Sequence, residues 1–301
     1  MPITRLAQLL DAVQAKPRKR LAAAFANDAH TIEAVSHALE QGIIDATLVG
    51  DEAVMRATCQ ELGIDPGRFT LVHEPVDSRA AARAVALVRS GECQILMKGL
   101  VSTDKYMRAI LSKEAGLMEP GAILSHVAVI ENAHYPKLLI CGDVAVLPYP
   151  ELKEKVAITN YCIAVARALG IDRPKVAVIA ASEQVLPKIQ ATVDAAILAK
   201  MAERGQIKGA FVDGPMALDV AVDPEAAATK GVGGEVAGDA DCLVFPNIDA
   251  GNVFYKTCSK LAGSELAAMV VGAQAPCILS SRGDSVLTKL YSIALAALTA
   301  R

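Results

Sequence analysis

No stretch of this 301-residue chain is apolar without interruption for the length a bilayer span needs, so no membrane partner is expected. Charge of one sign is also missing: 30 Lys and Arg against 33 Asp and Glu leave a net charge of −3. Nothing global therefore recruits nucleic acid or an anionic surface. The densest basic cluster, Lys16–Arg20, contains Pro17 and runs into an apolar segment, the pattern of a solvated turn. The 7 cysteines include no CxxC pair, and the 5 histidines include no HxxxH pair and no neighbouring cysteine. That spacing argues against a zinc centre. An odd, scattered set of thiols fits a reducing cytoplasm better than oxidising export, which would leave one unpaired. No linker is rich in Gly, Ser or Pro, and no internal repeat is found.

What is present is alternation. Short β-branched runs at 21–25, 46–49, 69–72, 95–98, 126–130, 137–140, 176–179, 209–212, 242–245, 268–271 and 277–279 read as strands. Helical periodicity occupies 28–40, 52–62, 79–89, 103–111, 152–169, 186–201, 251–261 and 285–298. The opening MPITRLAQLLDAVQ reads as an amphipathic helix with charges inside it, not as a signal peptide. Such alternation predicts an α/β fold, mostly parallel sheets with flanking helices. Only residues 131–136 join the strands at 126–130 and 137–140, too few for a parallel crossover, so these two pair antiparallel. That turn is the expected seam between two domains. If the last strand and helix return to the first, its extent is 1–132 plus 276–301, and the second domain is 133–275.

Candidate sites follow from where strands end. The cluster KGVGGEVAG fails the dinucleotide spacing G-x-G-x-x-G, because a third glycine counted from Gly231 falls at Val236. In LMKGLVSTDKYMRAIL a strand closes at Lys98, Ser102 or Thr103 can cap the next helix, and Arg108 lies on that helix. Ligands of open α/β sheets sit at such carboxyl ends, where helix N-termini offer N–H groups, although a plain capped helix reads the same way. CLVFPNIDAGNVFYKTCSKL repeats the design with Asn247, Asn252 and Lys256. DGPMALDVAV places Asp213 and Asp219 around a polar turn, either as a general base or as caps. PCILSSRGDSV is the fourth such junction: Ser281 and Arg282 stand between a strand and a helix that Asp284 or Ser285 can cap. Its Arg-Gly-Asp triplet is not read as an adhesion motif, since the flanking pattern buries it between two elements. Four junctions carrying Lys98, Arg108, Lys256 and Arg282 point to an anionic ligand, phosphate or a phosphorylated small molecule.

In this order along the chain, LMKGLVSTD, LSHVAVIE, DGPMALDVAV, GEVAGDADCLVFP, PNIDAGNVFYK and PCILSSRGDSV resemble the phosphate acetyltransferase and phosphate butyryltransferase family. The likeness covers essentially the whole chain and is closer to the butyryl branch around LMKGLVSTD and DSVLTKLYSIALA. It implies a two-domain fold of the isocitrate/isopropylmalate dehydrogenase type, an active site in the interdomain cleft, and a homodimer or larger homo-oligomer. The implied reaction is acyl-CoA + phosphate ⇌ acyl phosphate + CoA, with CoA as substrate and no metal or tightly bound cofactor. By the same resemblance Arg282 binds the phosphate or acyl phosphate, and Ser281 stabilises charge at the reacting carbonyl. Ser102 and Thr103 complete the anion site, and Arg108 matches a basic position of the acetyl branch.

One residue departs from the pattern. The acetyl branch carries an aspartate about two turns into the final helix, the proposed base for the CoA thiol; the matching position here is Thr288. Asp284, or an acid of the DGP segment (Asp213) or of the PNID segment (Asp249), can substitute. Two other readings stand beside this one. A metal- and NAD-dependent dehydrogenase of the same fold is poorly supplied with metal ligands, because the helix after PNIDAGN brings Lys256 and no second acid. A non-catalytic regulator that senses acyl phosphates would tolerate Thr288.

Overall fold

The computed structural model describes residues 2–279 and 284–301. The chain opens with α1 (Ala7–Gln14), β1 (Lys19–Ala24), α2 (Ala29–Glu40), β2 (Ile44–Gly50) and α3 (Glu52–Glu61). It continues with β3 (Thr70–His73), α4 (Asp77–Arg89), β4 (Ile95–Lys98), α5 (Thr103–Ile110), β5 (Ser125–Glu131) and β6 (Leu139–Gly142). Next come α6 (Leu152–Ala168), β7 (Lys175–Ile179), α7 (Gln190–Glu203), β8 (Phe211–Met216), α8 (Leu218–Val222) and α9 (Pro224–Thr229). The last elements are β9 (Cys242–Val244), α10 (Ile248–Lys260), β10 (Glu265–Val271), β11 (Cys277–Ile278) and α11 (Val286–Thr299). The alternation read from the sequence is therefore the observed one. The short helices α8 and α9 fill a stretch read as turn and loop. The signal for α9 was a cap followed by proline: Asp223 accepts from the Glu225 N–H, and Pro224 takes the first helical position.

Two compact units divide the chain. The first comprises residues 6–124 and 267–301. Its strands lie in the order β3-β2-β1-β4-β11-β10, all parallel except β10, which runs against β11 at Val270↔Cys277. β1 contributes Ala22, Ala23 and Ala24, each fully buried, so its centre is covered on both faces, as a parallel strand requires. Helix α11 is buried from Thr288 to Leu298 and packs against α1 and α2. Apart from Thr288, Lys289 and Ser292 its sides are apolar or aromatic, the mark of a helix enclosed by its neighbours. Asp28 caps α2 by accepting from Thr31 N–H at 2.9 Å, and Asp51 caps α3.

The second unit comprises residues 1–5 and 125–266, with strands in the order β5-β6-β9-β7-β8. β5 and β6 pair antiparallel through Val127↔Gly142 to Ile130↔Leu139, as the short turn between them predicts. The other neighbours are parallel. Against the expected limits of 1–132 plus 276–301 and 133–275, the observed division differs at three places, the first being that residues 1–5 lie in the second unit. The division falls ahead of β5, because β5 is laced to β6 along four residue pairs and β6 continues into β9. Residues 267–275 belong with the first unit, where β10 meets β11. No helix among the described residues is long and apolar enough to cross a membrane.

The second unit buries an ion pair. Lys155 Nζ of α6 lies 2.6 Å from Asp194 Oδ2 of α7, and Gln190 Nε2 donates to Asp194 Oδ1 at 2.8 Å. Removing one partner strands the other charge out of water, so Asp194→Ala is expected to cost about 3–5 kcal/mol in urea unfolding. Lys155→Met combined with Asp194→Leu should cost distinctly less; an equal loss in the double variant would show that packing, not charge, is what the pair supplies.

Candidate functional site

The first unit gathers residues at the carboxyl edge of three adjacent strands. β1, β4 and β11 are parallel, in register through Ala24↔Lys98 and Met97↔Ile278, so all three release the chain on the same side. Lys98 closes β4 and is 4% exposed; its Nζ donates to Gly99 O at 3.3 Å. The chain then turns against β1, with Gly99 N–H on Ala24 O and Leu100 N–H on Phe25 O, both at 2.9 Å. A Cβ on Gly99 would sit 2.5 Å from Phe25 O, so only glycine allows this approach. Phe25 itself holds a left-handed φ of 58°, which costs a residue with a side chain roughly 1–2 kcal/mol. Backbone held in such regions concentrates where a fold shapes a ligand site.

Ser102 caps α5, accepting from Lys105 N–H at 3.4 Å, and Thr103 begins the helix exposed. Lys105 reaches across to Asp77 at the start of α4, and that ammonium's hydrogen bond holds the Asp77 carboxyl below its usual range. Buried Tyr106 points inward from α5: its hydroxyl donates to Ile278 O at 3.1 Å and lies 3.3 Å from Leu96 O. The helix that carries Ser102 and Thr103 is thereby tied to the ends of both β4 and β11. Burial drives the Tyr106 phenol well above its ordinary pKa, so it stays protonated and keeps donating. Arg108 is directed elsewhere, into an exposed pair with Asp104 at 2.9 Å.

Ser281 and Arg282 lie outside the described residues. Past them, Asp284 is half-buried and its carbonyl accepts from Lys289 Nζ at 3.0 Å. Of the two caps considered, Ser285 is the one that forms: it accepts from Thr288 N–H at 3.1 Å and its hydroxyl sits 3.1 Å from Thr288 Oγ1. Thr288 is thus part of a capping hydroxyl pair.

The second unit holds the other candidates. Asn247 Oδ1 caps α10 by accepting from Ala250 N–H at 3.0 Å, and Asn252 Nδ2 donates to Val144 O at 2.9 Å. Exposed Lys256 lies 5.3 Å from the Tyr255 ring centroid. Beneath this helix start is a residue the sequence reading passed over, Asp143 in CGDVAV. Its carboxylate is buried and accepts four hydrogen bonds, from Ser125 Oγ, His126 N–H, Ala145 N–H and Val146 N–H, at 2.7–3.0 Å. A Cβ on Gly251 would meet Asp143 O at 2.3 Å, which explains the glycine in PNIDAGN. Asp213 corrects an expectation. β8 runs on through Phe211–Met216, so this acid lies inside a strand, where the register against β7 shifts, and not in a turn beyond it. It accepts from Gly214 N–H and lines a cavity of about 400 Å³ with Arg173, Lys200, Glu203 and Glu235. Asp219 is exposed and paired with Lys230.

Besides Asp143, sequence reasoning missed Phe25, which has no residue-type signal, and Lys289, a lone cation on an otherwise apolar helix. All seven cysteines are free thiols and buried. Burial raises Cys258, and it pushes Cys277 up to about 12. Among the described residues no group of three His, Cys, Asp or Glu is placed to hold a metal ion.

Two units of mostly parallel sheet with flanking helices define an α/β protein. The chain belongs to the family described as phosphate acetyl/butaryl transferase, whose profile matches residues 68–297. It is 48% identical to a phosphate butyryltransferase of Clostridium acetobutylicum over 97% of each chain. It is 42% identical to a phosphate acetyltransferase of Thermotoga maritima over 94% of this chain and 95% of that one. A branched-chain phosphotransacylase structure from Enterococcus faecalis superposes with a TM-score of 0.81 at 30% identity, covering 93% of this chain and 98% of the other.

Tyr106→Phe removes the hydroxyl that ties α5 to β4 and β11, and should lower unfolding stability by about 0.5–1.5 kcal/mol in a denaturant titration. A variant as stable as the parent would show that the hydroxyl clamps nothing.

Proposed function

We propose that this chain is a phosphate acyltransferase that moves a short acyl group, butyryl or acetyl, between CoA and inorganic phosphate. Its similarity to a phosphate butyryltransferase over 97% of both chains carries the reading. A phosphate oxygen adds to the thioester carbonyl; the C–S bond then breaks, and CoA leaves as a thiolate that takes up a proton. In reverse, the thiol must lose that proton before attacking the acyl phosphate. Arg282 is assigned to the phosphate, because a guanidinium fork meets an oxyanion through two donors. Ser281 stabilises the tetrahedral oxyanion beside it. Lys98, Ser102 and Thr103 supply a cation, a cap and an open helix start for the same anion, and Arg108 is available if its surface pair with Asp104 opens. Asn247, Asn252 and Lys256 are assigned to substrate contacts at the start of α10.

Thr288 offers no carboxylate, so the proton falls to Asp284 or Asp213. General-base help is typically worth roughly a hundred- to ten-thousand-fold, while a free thiol near pKa ~8.5 is already a few per cent ionised at neutral pH. Transfer is direct, in a ternary complex with no acyl-cysteine: buried thiols of raised pKa, as at Cys258 and Cys277, make poor nucleophiles. Two domains of the isocitrate/isopropylmalate dehydrogenase type, a homodimer or larger homo-oligomer, and a cytoplasmic location complete the proposal. The two compact units and the seven unpaired thiols support it.

The assay is CoA release from butyryl-CoA and phosphate, followed with a thiol reagent. Phosphate-dependent release is expected; none across acetyl- to valeryl-CoA would overturn the enzyme in favour of a non-catalytic acyl-phosphate binder, the reading that Thr288 favours. Arg282→Ala should raise the phosphate KM at least tenfold, and unchanged kinetics would remove its role. The Cys258→Ala, Cys277→Ala double variant should keep turnover within about threefold. Total loss in a folded protein would point to a covalent intermediate.

A further inference from the structure

Within the second unit, the turn after β6 and the start of α10 form one bonded block around Asp143. This acid is 2% exposed, and among the described residues its four donors are all neutral. Oδ2 accepts from Ser125 Oγ and His126 N–H at the start of β5, and Oδ1 accepts from Ala145 N–H and Val146 N–H. An asparagine has one acceptor oxygen, so it could serve only one of these two pairs. Burying a carboxylate among neutral donors is costly, and what it secures here is a turn, residues 143–146, locked to β5. Two contacts carry that order into α10. The Val144 carbonyl accepts from Asn252 Nδ2 at 2.9 Å, which leaves Asn252 Oδ1 with no partner among the described residues. A Cβ on Gly251 would lie 2.3 Å from the Asp143 carbonyl, so the opening of the helix is seated on the same turn.

The groups at this helix start suit a neutral polar partner better than an anion. Asp143 lies beneath it and exposed Asp249 stands in its first turn. Acids so placed offset the pull of the helix dipole on a negative ligand. Lys256 is exposed and follows roughly two turns later. What the start presents is amide: Asn252 Oδ1, and the Nδ2 of Asn247, whose own Oδ1 is taken by the cap. Amides pair with carbonyl and N–H groups. Of the two substrates, acyl-CoA carries such groups in its thioester and its amide-linked arm, and phosphate carries none. We propose that Asp143 is a positioning residue for acyl-CoA: by fixing the Val144 carbonyl, it aims the Asn252 amide at a neutral polar group of that substrate. The acyltransferase reading supplies the identity of the ligand, and the inference rests on it.

The test uses Asp143→Asn, Ser125→Ala and Asn252→Ala in the full chain, with each of the first two also combined with Asn252→Ala. Steady-state kinetics read the KM for butyryl-CoA, the KM for phosphate and kcat separately. Calorimetric titration with butyryl-CoA in the absence of phosphate reads binding without turnover. Asp143→Asn should weaken butyryl-CoA about tenfold or more in both KM and affinity, with the phosphate KM and kcat within about threefold of the parent. Ser125→Ala removes one donor of the four and should raise the same KM about two- to fivefold. On top of Asn252→Ala, either change should add less than about a further twofold, because the amide it aims is gone. Full additivity with Asn252→Ala overturns the inference. So does an unchanged butyryl-CoA KM in a less stable protein, or an equal loss in both KM values and kcat; each would make Asp143 a structural acid. If Asp143→Asn does not fold, Ser125→Ala decides by the same criteria. A parent without turnover, whose butyryl-CoA binding still shows the coupling to Asn252, would sink the acyltransferase reading and leave the role of Asp143 standing. A parent that binds no butyryl-CoA sinks both.

Discussion

The parallel pairing of β4 with β11 is the constraint on which the first unit depends. These strands come from opposite ends of the chain, yet Leu96↔Cys277 and Met97↔Ile278 place them side by side with a common direction. Because both point the same way, the turn after Lys98 and the junction after Leu279 emerge at one edge. Tyr106 reinforces that pairing from α5, with its hydroxyl within hydrogen-bonding reach of Ile278 O and Leu96 O, 172 residues apart in the first case. A buried phenol forms such bonds at little conformational cost, since few side-chain torsions need be fixed. Its removal takes a donor away from the Ile278 carbonyl.

Around that edge the chain accepts local penalties. Phe25 is held in the left-handed region, Gly99 gives up a side chain so that its Cα can lie against the Phe25 carbonyl, and two lysines are withdrawn from water. In the second unit the corresponding device is electrostatic. Asp143 collects four donors, and its own carbonyl lies so close to Gly251 that no side chain fits there. Asn247 and Asn252 then hold the helix start by a cap and a bond to Val144 O. In each unit, rigid main-chain geometry fixes where polar side chains are presented, which is the arrangement that oxyanion recognition needs.

The family relationship sharpens one chemical question. A capping pair, Ser285 with Thr288, occupies the first turn of α11, where the resemblance led us to look for an acid. Helix capping and proton abstraction make different demands on the position: the first needs a neutral hydroxyl locked to the main chain, the second a carboxylate facing solvent and thiol. The hydroxyl pair satisfies the first demand and supplies no carboxylate for the second.

Much of this was readable in one dimension. Element types and order followed from hydrophobic periodicity, because burial of one face repeats every two residues in a strand and about every 3.6 in a helix. The antiparallel β5–β6 pair followed from a turn too short for a crossover, and a cap at Ser102 or Thr103 from residue type next to a strand end. The family followed from ordered motifs. Asp213 misled, because a Gly-Pro pair looks like a turn whether or not a strand passes through it. Only the tertiary structure decided that β11 lies beside β4, that Tyr106 bridges them, that Asp143 gathers four donors and that Lys289 is buried. Each of these depends on contacts between residues distant in sequence, and local pattern carries information about neighbours along the chain but none about neighbours across it.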